Sequence, residues 1–268
     1  MSTSAPPSTS SSTVPSPSRE LVGLRSNETG AQRILIMGAP GCGKTWAALT
    51  FPNPLVLNTD NKLPRGRVIA NIPMHDQEYQ RELFRAYGKK SEFVNMRDAV
   101  KLWFEQEMHK IDQRATTLVI DSWTMINNAC DVQGNKEVKP SPRTGELDKR
   151  QMWGEKLNYC FYLHEMLKQY QGTIISVCHE FIERDDKGQP ITGFSPLFTG
   201  GFKDQFAAHY TNFWRMQVDV KADYKWKFQL MASPVFNPIC SFTPPVAMVD
   251  ARYDAVKALL SGDSNIQP

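Results

Sequence analysis

Residues 33–45, Arg-Ile-Leu-Ile-Met-Gly-Ala-Pro-Gly-Cys-Gly-Lys-Thr, decide the fold. From Gly38 to Thr45 they fit the phosphate-loop pattern, a glycine, four residues and then Gly-Lys-Thr. Arg33 to Met37 is a short apolar run suited to a buried strand. Thr45 to Leu49 reads as the opening turns of a helix, stopped near Phe51-Pro52. A strand before and a helix after are the context the pattern requires. Gly38, Gly41 and Gly43, with Ala39, Pro40 and Cys42 between them, let the backbone curl so that several N–H groups face one anion. The helix start adds partial positive charge there. Lys44 can then reach the β- and γ-phosphates of ATP, and the Thr45 hydroxyl can ligate Mg²⁺. Cys42 reads as a small filler rather than a redox switch.

Working outward, a second signal lies at Thr116-Thr117-Leu118-Val119-Ile120-Asp121-Ser122. An apolar, β-branched strand delivers one aspartate, which suits Asp121 as the Mg²⁺ partner beside the phosphate loop. Between the two signals, Leu55 to Asn58 reads as a buried strand ending in Thr59-Asp60-Asn61-Lys62. Carboxylates at such strand ends sit where open α/β sheets hold ligands. Val68 to Ile72 is a candidate third strand, and Gln77 to Tyr87 a candidate helix. A further helix is expected after Asn95, with Met96, Ala99, Val100, Trp103, Phe104 and Met108 on its buried face.

Downstream, residues 130–150 are polar with a basic excess. They read either as a solvated loop or as a mobile one whose Lys136, Lys139, Arg143, Lys149 and Arg150 meet nucleic-acid phosphates. Met152 to Tyr170 reads as an amphipathic helix carrying Trp153, Leu157, Phe161 and Leu167. Gly172 ends it. Thr173 to Cys178 is another buried strand, leading to His179-Glu180. His179 is open to two readings, a satisfied buried imidazole or a sensor of the γ-phosphate. Asp185 to Pro190 reads as a hairpin tip. Phe194 to Lys203 reads as a second flexible loop. In it Phe194, Phe198 and Phe202 either stack on bases or pin the loop to the core. Tyr210–Val218 and Tyr224–Met231 are strand-like around a turn at Ala222-Asp223, and Asp250 is a candidate cap for a last helix through Leu260, followed by Gly262.

Composition bounds the rest. The 268 residues and 41% hydrophobic content support one sizeable α/β domain. We expect a Ser/Thr/Pro-rich disordered tail over 1–20, one ATPase domain over 21–262 and a short tail over 263–268. A net charge of +3 is too mild to argue for nucleic acid by itself. Five scattered cysteines without a CxxC pair point to a reducing compartment and away from zinc. The sequence shows neither a signal peptide nor an apolar run near the roughly 20 residues that cross a bilayer, so a cytoplasmic, membrane-free protein is expected.

The combination of motifs resembles small phage RecA-like P-loop ATPases. It rests on the phosphate loop, Val119-Ile120-Asp121-Ser122, Val56 to Leu63, and Ile175 to Glu180 followed by Pro196-Leu197-Phe198-Thr199-Gly200. Ser122 stands where the ring-forming AAA+ class usually carries its water-activating glutamate. The RecA-like class takes that carboxylate from a neighbouring strand end. The resemblance implies a mostly parallel sheet flanked by helices, with antiparallel strands toward the C-terminus. It assigns Lys44 and Thr45 to phosphate and metal, Asp121 to Mg²⁺, Asp60 to the attacking water and His179 to γ-phosphate sensing. Asp60 departs from the family's usual glutamate and is one methylene shorter. The resemblance further implies slow, DNA-stimulated ATP hydrolysis in single-strand annealing or recombination, in the host cytoplasm. Single-stranded DNA would meet Lys136, Lys139, Arg143, Phe194, Phe198, Phe202 and Lys203. A filament or ring of like subunits is expected, with Arg215 or Lys203 reaching across, and a single-strand DNA-binding protein is a further candidate partner. Two rival classes remain open: a helicase or packaging motor on the same core, and a non-DNA nucleotide switch or kinase.

Overall fold

The 33–38 run forms β1 (Arg33–Gly38) at the heart of a mixed sheet. The computed structural model describes residues 31–59, 100–101, 103–146, 148–182, 184–188, 193–198, 202–220, 225–234 and 236–261. The expected strand at 68–72, the helix at 77–87, Asp60 and the residues from Asn95 to Ala99 lie outside these.

The chain runs from β1 through the phosphate loop into α1 (Lys44–Leu49), then β2 (Pro54–Asn58), β3 (Thr117–Asp121) and α2 (Trp123–Glu137). There follow α3 (Lys149–Lys168), β4 (Ile174–Phe181), β5 (Ser195–Pro196), α4 (Phe202–Phe206), β6 (Asn212–Asp219), β7 (Lys225–Gln229), β8 (Met248–Asp250) and α5 (Tyr253–Leu260). The sheet order is β2-β3-β4-β1-β6-β7-β8, with β5 paired to the end of β4. The first five strands are parallel; β7 runs against β6 and β8 against β7. Strand β4 therefore lies between the phosphate-loop strand and the Asp121 strand. This is a mostly parallel P-loop core of the kind the motifs imply, with its antiparallel strands at the far edge.

Alternation along the parallel strands sends successive side chains to opposite faces. Leu35, Met37, Leu118, Ile120 and Cys178 pack with Trp123, Leu163, Phe202 and Phe206 on the face covered by α2, α3 and α4. Ile34, Ile36, Val119, Val177, Trp214 and Phe228 pack with Ala47, Ala48 and Val256 on the face covered by α1 and α5. The first core encloses a polar pair of contacts: Trp123 Nε1 donates to Ser176 Oγ at 3.0 Å, and the Tyr210 hydroxyl donates to the same oxygen at 2.7 Å. Buried polar groups must find such partners.

Several expectations need correction. Residues 130–150 are not one loop. Helix α2 continues to Glu137 and α3 begins at Lys149, so only 138–148 connects them. Ile126, Ala129 and Cys130 are buried at helical spacing, and the surrounding Asn, Asp and Gln residues hide that stripe. Gly134 lies where α2 crosses α3; a Cβ there would stand 2.9 Å from the Met152 carbonyl oxygen. Asp148 caps α3, accepting from the Arg150 N–H at 2.9 Å. Trp153 lies outside the core, 41% exposed, with the Lys156 ammonium 5.0 Å from its ring centre. Asp250 is not a helix cap. It ends β8 and accepts from Lys227 Nζ at 2.6 Å, while Arg252 precedes α5.

The described residues of the Phe194–Lys203 stretch do not form a free loop either. Phe198 and Phe202 are 7% and 0% exposed and pack on Phe206, the first edge-on and the second tilted. Val100, Trp103, Phe104 and Met108 are core, as expected, although 103–107 winds as a π-helix and 108–110 as a 3₁₀ turn. The hairpin expected at Asp185 is present, with the Gly188 N–H donating to the Asp185 carbonyl at 2.9 Å and β5 antiparallel to β4.

Candidate active site

The loop after β1 takes the shape that its glycines permit. Gly41 and Gly43 have φ of 78° and 86°, in the left-handed region where side chains are strained. At Gly38 a Cβ would stand 2.6 Å from the Met216 carbonyl oxygen and 2.8 Å from Cys42 Sγ. Lys44 opens α1 with its stem buried at 5% exposure. Its ammonium donates to the carbonyls of Gly38 at 2.8 Å and Ala39 at 2.7 Å, so the cation lies within the curl of the loop. Burial pushes the Cys42 thiol above its ordinary value, against the pull of Lys44, and so keeps it a poor nucleophile. That fits a filler.

Strand β3 brings Asp121 to this loop. The Thr45 hydroxyl donates to Asp121 Oδ2 at 2.5 Å, across 76 residues of chain. Asp121 is 7% exposed. One hydroxyl and one carboxylate side by side form a hard-oxygen pair suited to Mg²⁺. The donor set fits the ion that the motifs imply.

Two threonines that no sequence motif marks set this corner. Thr59 Oγ1 donates to the Ser122 carbonyl at 2.9 Å and accepts from the Ser122 N–H at 2.8 Å. The Thr59 N–H donates to the Asp121 carbonyl at 2.7 Å. The end of β2 is thus locked to the end of β3, one residue before Asp60. Thr124 Oγ1, on the first turn of α2, accepts from the His179 N–H at 2.9 Å. His179 is half-buried and stands opposite Gly38 in the β1–β4 register. The loop, the Thr45–Asp121 pair and His179 therefore meet at the C-terminal edge of the sheet. Asp60 lies outside the described residues.

Glu180 and Arg215 extend the site. They sit on the strands flanking β1 and pair across it, Arg215 Nε to Glu180 Oε2 at 2.8 Å and the second nitrogen to Oε1 at 3.4 Å. Their side chains are 8% and 13% exposed. Arg215 also donates to Gln217 Oε1 at 2.9 Å, and its guanidinium carbon lies 3.3 Å from the centre of the Phe194 ring. Arg215 is thus engaged within its own chain. Phe194 is engaged too.

The residues expected to contact DNA are dispersed. Lys139 and Arg143 are exposed on the 138–148 connection, whose turn closes with the Gly145 N–H donating to the Ser141 carbonyl at 2.9 Å. Lys136 lies on the last turn of α2, and Lys203 is half-buried on α4. Phe198 and Phe202 are core, so no base can stack on them in this arrangement. No group of three or more His, Cys, Asp or Glu able to hold a metal occurs among the described residues. No described helix is long and apolar enough to cross a membrane.

Among solved structures, the fold is similar to a prototypical ATPase from the type III secretion system of pathogenic bacteria, at 16% identity and a TM-score of 0.40. That match covers 72% of this chain and 53% of the other, so this chain spans about half the length of that protein. It is also similar to the ATPase domain of G40P, at 10% identity and a TM-score of 0.38, covering 81% of this chain and 80% of that one. No curated protein matches the sequence. Residues 30–234, which carry the phosphate loop, Asp121 and every strand through β7, match the AAA domain family, and the chain belongs to that ATPase family.

Proposed function

We propose that this chain binds ATP with Mg²⁺ and hydrolyses it, and that turnover is coupled to single-stranded DNA in annealing or recombination. The observation that carries the nucleotide part is the Thr45–Asp121 contact beside the Lys44 ammonium. Lys44 holds the β- and γ-phosphates, and the loop amides surround them. Thr45 and Asp121 hold Mg²⁺, which would draw charge from the transferring phosphoryl group. His179, whose backbone N–H is held by Thr124, reads whether a γ-phosphate is there. Asp60, one residue beyond the Thr59 lock, orients the water. Glu180 is already occupied by its arginine partner, which favours Asp60 for that role.

The DNA part draws on charge placement. Helix α3 opens with Lys149 and Arg150 and has no acidic residue in its first turn. Cations at a helix N-terminus oppose the helix dipole by about 0.3–1 kcal/mol each. With exposed Lys139 and Arg143 they give a basic rim suited to phosphates. A subunit ring or filament and a single-strand DNA-binding partner belong to the same reading.

ATP turnover measured with and without single-stranded DNA, beside a gel shift over a salt series, tests it. Turnover should rise with DNA. The triple variant Lys139→Ala, Arg143→Ala, Arg150→Ala should bind DNA more weakly, with a salt slope shallower by roughly 0.7 for each phosphate no longer neutralised. Its basal turnover should persist. Wild type that turns over ATP but neither binds nor responds to DNA would point to a nucleotide switch instead.

A further inference from the structure

The edge of the site toward β7 holds an aromatic side chain that the nucleotide reading leaves unused. Trp226 is 42% exposed, although its strand is held from both sides. It stands opposite Val218 on β6, and its carbonyl accepts from the Ala251 N–H at 3.0 Å. Its side chain lies on the phosphate loop itself. A Cβ on Gly43 would be 2.7, 2.7 and 2.8 Å from Cδ2, Cε3 and Cε2 of the indole. Nearly equal distances from three consecutive ring atoms place that point over the six-membered ring. The indole therefore lies face-on against Gly43, the residue before Lys44, and glycine is required there to admit it. Val218, 38% exposed, continues the same apolar surface. An exposed aromatic and aliphatic pair on a rigid strand, touching the loop that takes the phosphates, is within a nucleotide's reach of them.

We infer that Trp226 is the base platform of this site and that it takes a purine by stacking. This rests on the proposed binding of nucleotide phosphates at the loop. One face of the indole is spent on Gly43, and the solvent-facing side receives the base. Val218 presents carbon alone, so the platform reads the area of the ring rather than its edge. Stacking on an aromatic is tolerant of base identity for the same reason. The site accordingly favours purine over bare polyphosphate and treats adenine and guanine alike.

Titration of the wild-type chain, Trp226→Ala and Trp226→Phe with ATP, GTP and inorganic tripolyphosphate, all with Mg²⁺, tests this. Trp226→Ala should weaken ATP and GTP together by roughly tenfold or more. It should leave tripolyphosphate within about twofold, and Trp226→Phe should retain most of the purine affinity. The phenylalanine variant also keeps the test open if alanine loosens the fold, because the purine-over-tripolyphosphate preference is read within one protein. Equal loss for all three ligands would mean that Trp226 only shapes the loop, and unchanged ATP affinity would put the base elsewhere. Loss confined to one purine would mean edge recognition. Each of these overturns the inference while the phosphate site stands. Wild type that binds no tripolyphosphate would overturn both.

Discussion

Single side chains divide the labour at this site. Thr45 and Asp121 are brought to 2.5 Å by a strand 76 residues away, and Thr59 locks the strand end that leads into Asp60. If Asp60 orients the attacking water, Asp60→Asn keeps ATP affinity and lowers kcat by about a hundredfold or more, since general-base contributions run ~10²–10⁴-fold. Binding and single-turnover measurements on the variant check this, and an unchanged kcat would move the carboxylate elsewhere. A second residue-scale prediction concerns His164, 4% exposed beside Trp123, Phe206 and His209. Burial first, then the neighbouring His209 and Lys168, lower its pKa from 6.5 to about 3. The native state holds it neutral while the unfolded chain can protonate it. That stability is present above pH 6.5 and is lost as pH falls from 6.5 toward about 3. His164→Leu should therefore flatten the fall of the melting temperature across that window. A parallel fall in both proteins would assign the acid sensitivity to other groups.

At the scale of elements, the α2–α3 crossing shows why part of the fold was legible in the sequence and part was not. Strands β1, β3 and β4 are mostly apolar runs buried on both faces, and the glycine spacing between β1 and α1 has one physical use. Those segments declare themselves. Helix α2 does not, because Asn127 is fully buried within it and Gly134, a residue that usually breaks helices, falls inside it. Its helical stripe becomes visible only where it packs on α3 and β4. Phe198 and Phe202 mislead in the other direction. Aromatics in a glycine-rich, basic stretch have the composition of a base-stacking loop, and only tertiary packing assigns them to the core. Thr59, Thr124 and Trp226 were invisible for a related reason. Each acts through one long-range contact that no local pattern encodes. Gly134→Ala tests the crossing. Alanine favours a helix by about 0.8–1 kcal/mol, yet its Cβ must push α3 away, and overpacking of this kind costs about 1–3 kcal/mol. A lower denaturant midpoint is expected. A higher one would mean that the crossing gives way freely.

Across the whole molecule, the sheet separates a packing job from a chemical one. Two apolar cores hold the strands from either side, and the phosphate loop, Asp121, His179 and the Glu180–Arg215 pair gather at one edge. The family match ends at residue 234, while β8 and α5 beyond it complete the core behind α1 through Val249 and Val256. The central claim is that this edge holds the phosphates of ATP through Lys44. Calorimetric titration of Mg²⁺-ATP into wild type and Lys44→Ala measures it most directly. Removing two charge-assisted hydrogen bonds at about 1.5–3 kcal/mol each predicts affinity weaker by roughly a hundredfold or more, with the fold intact by circular dichroism. Equal affinity in the two proteins would contradict the assignment of the loop.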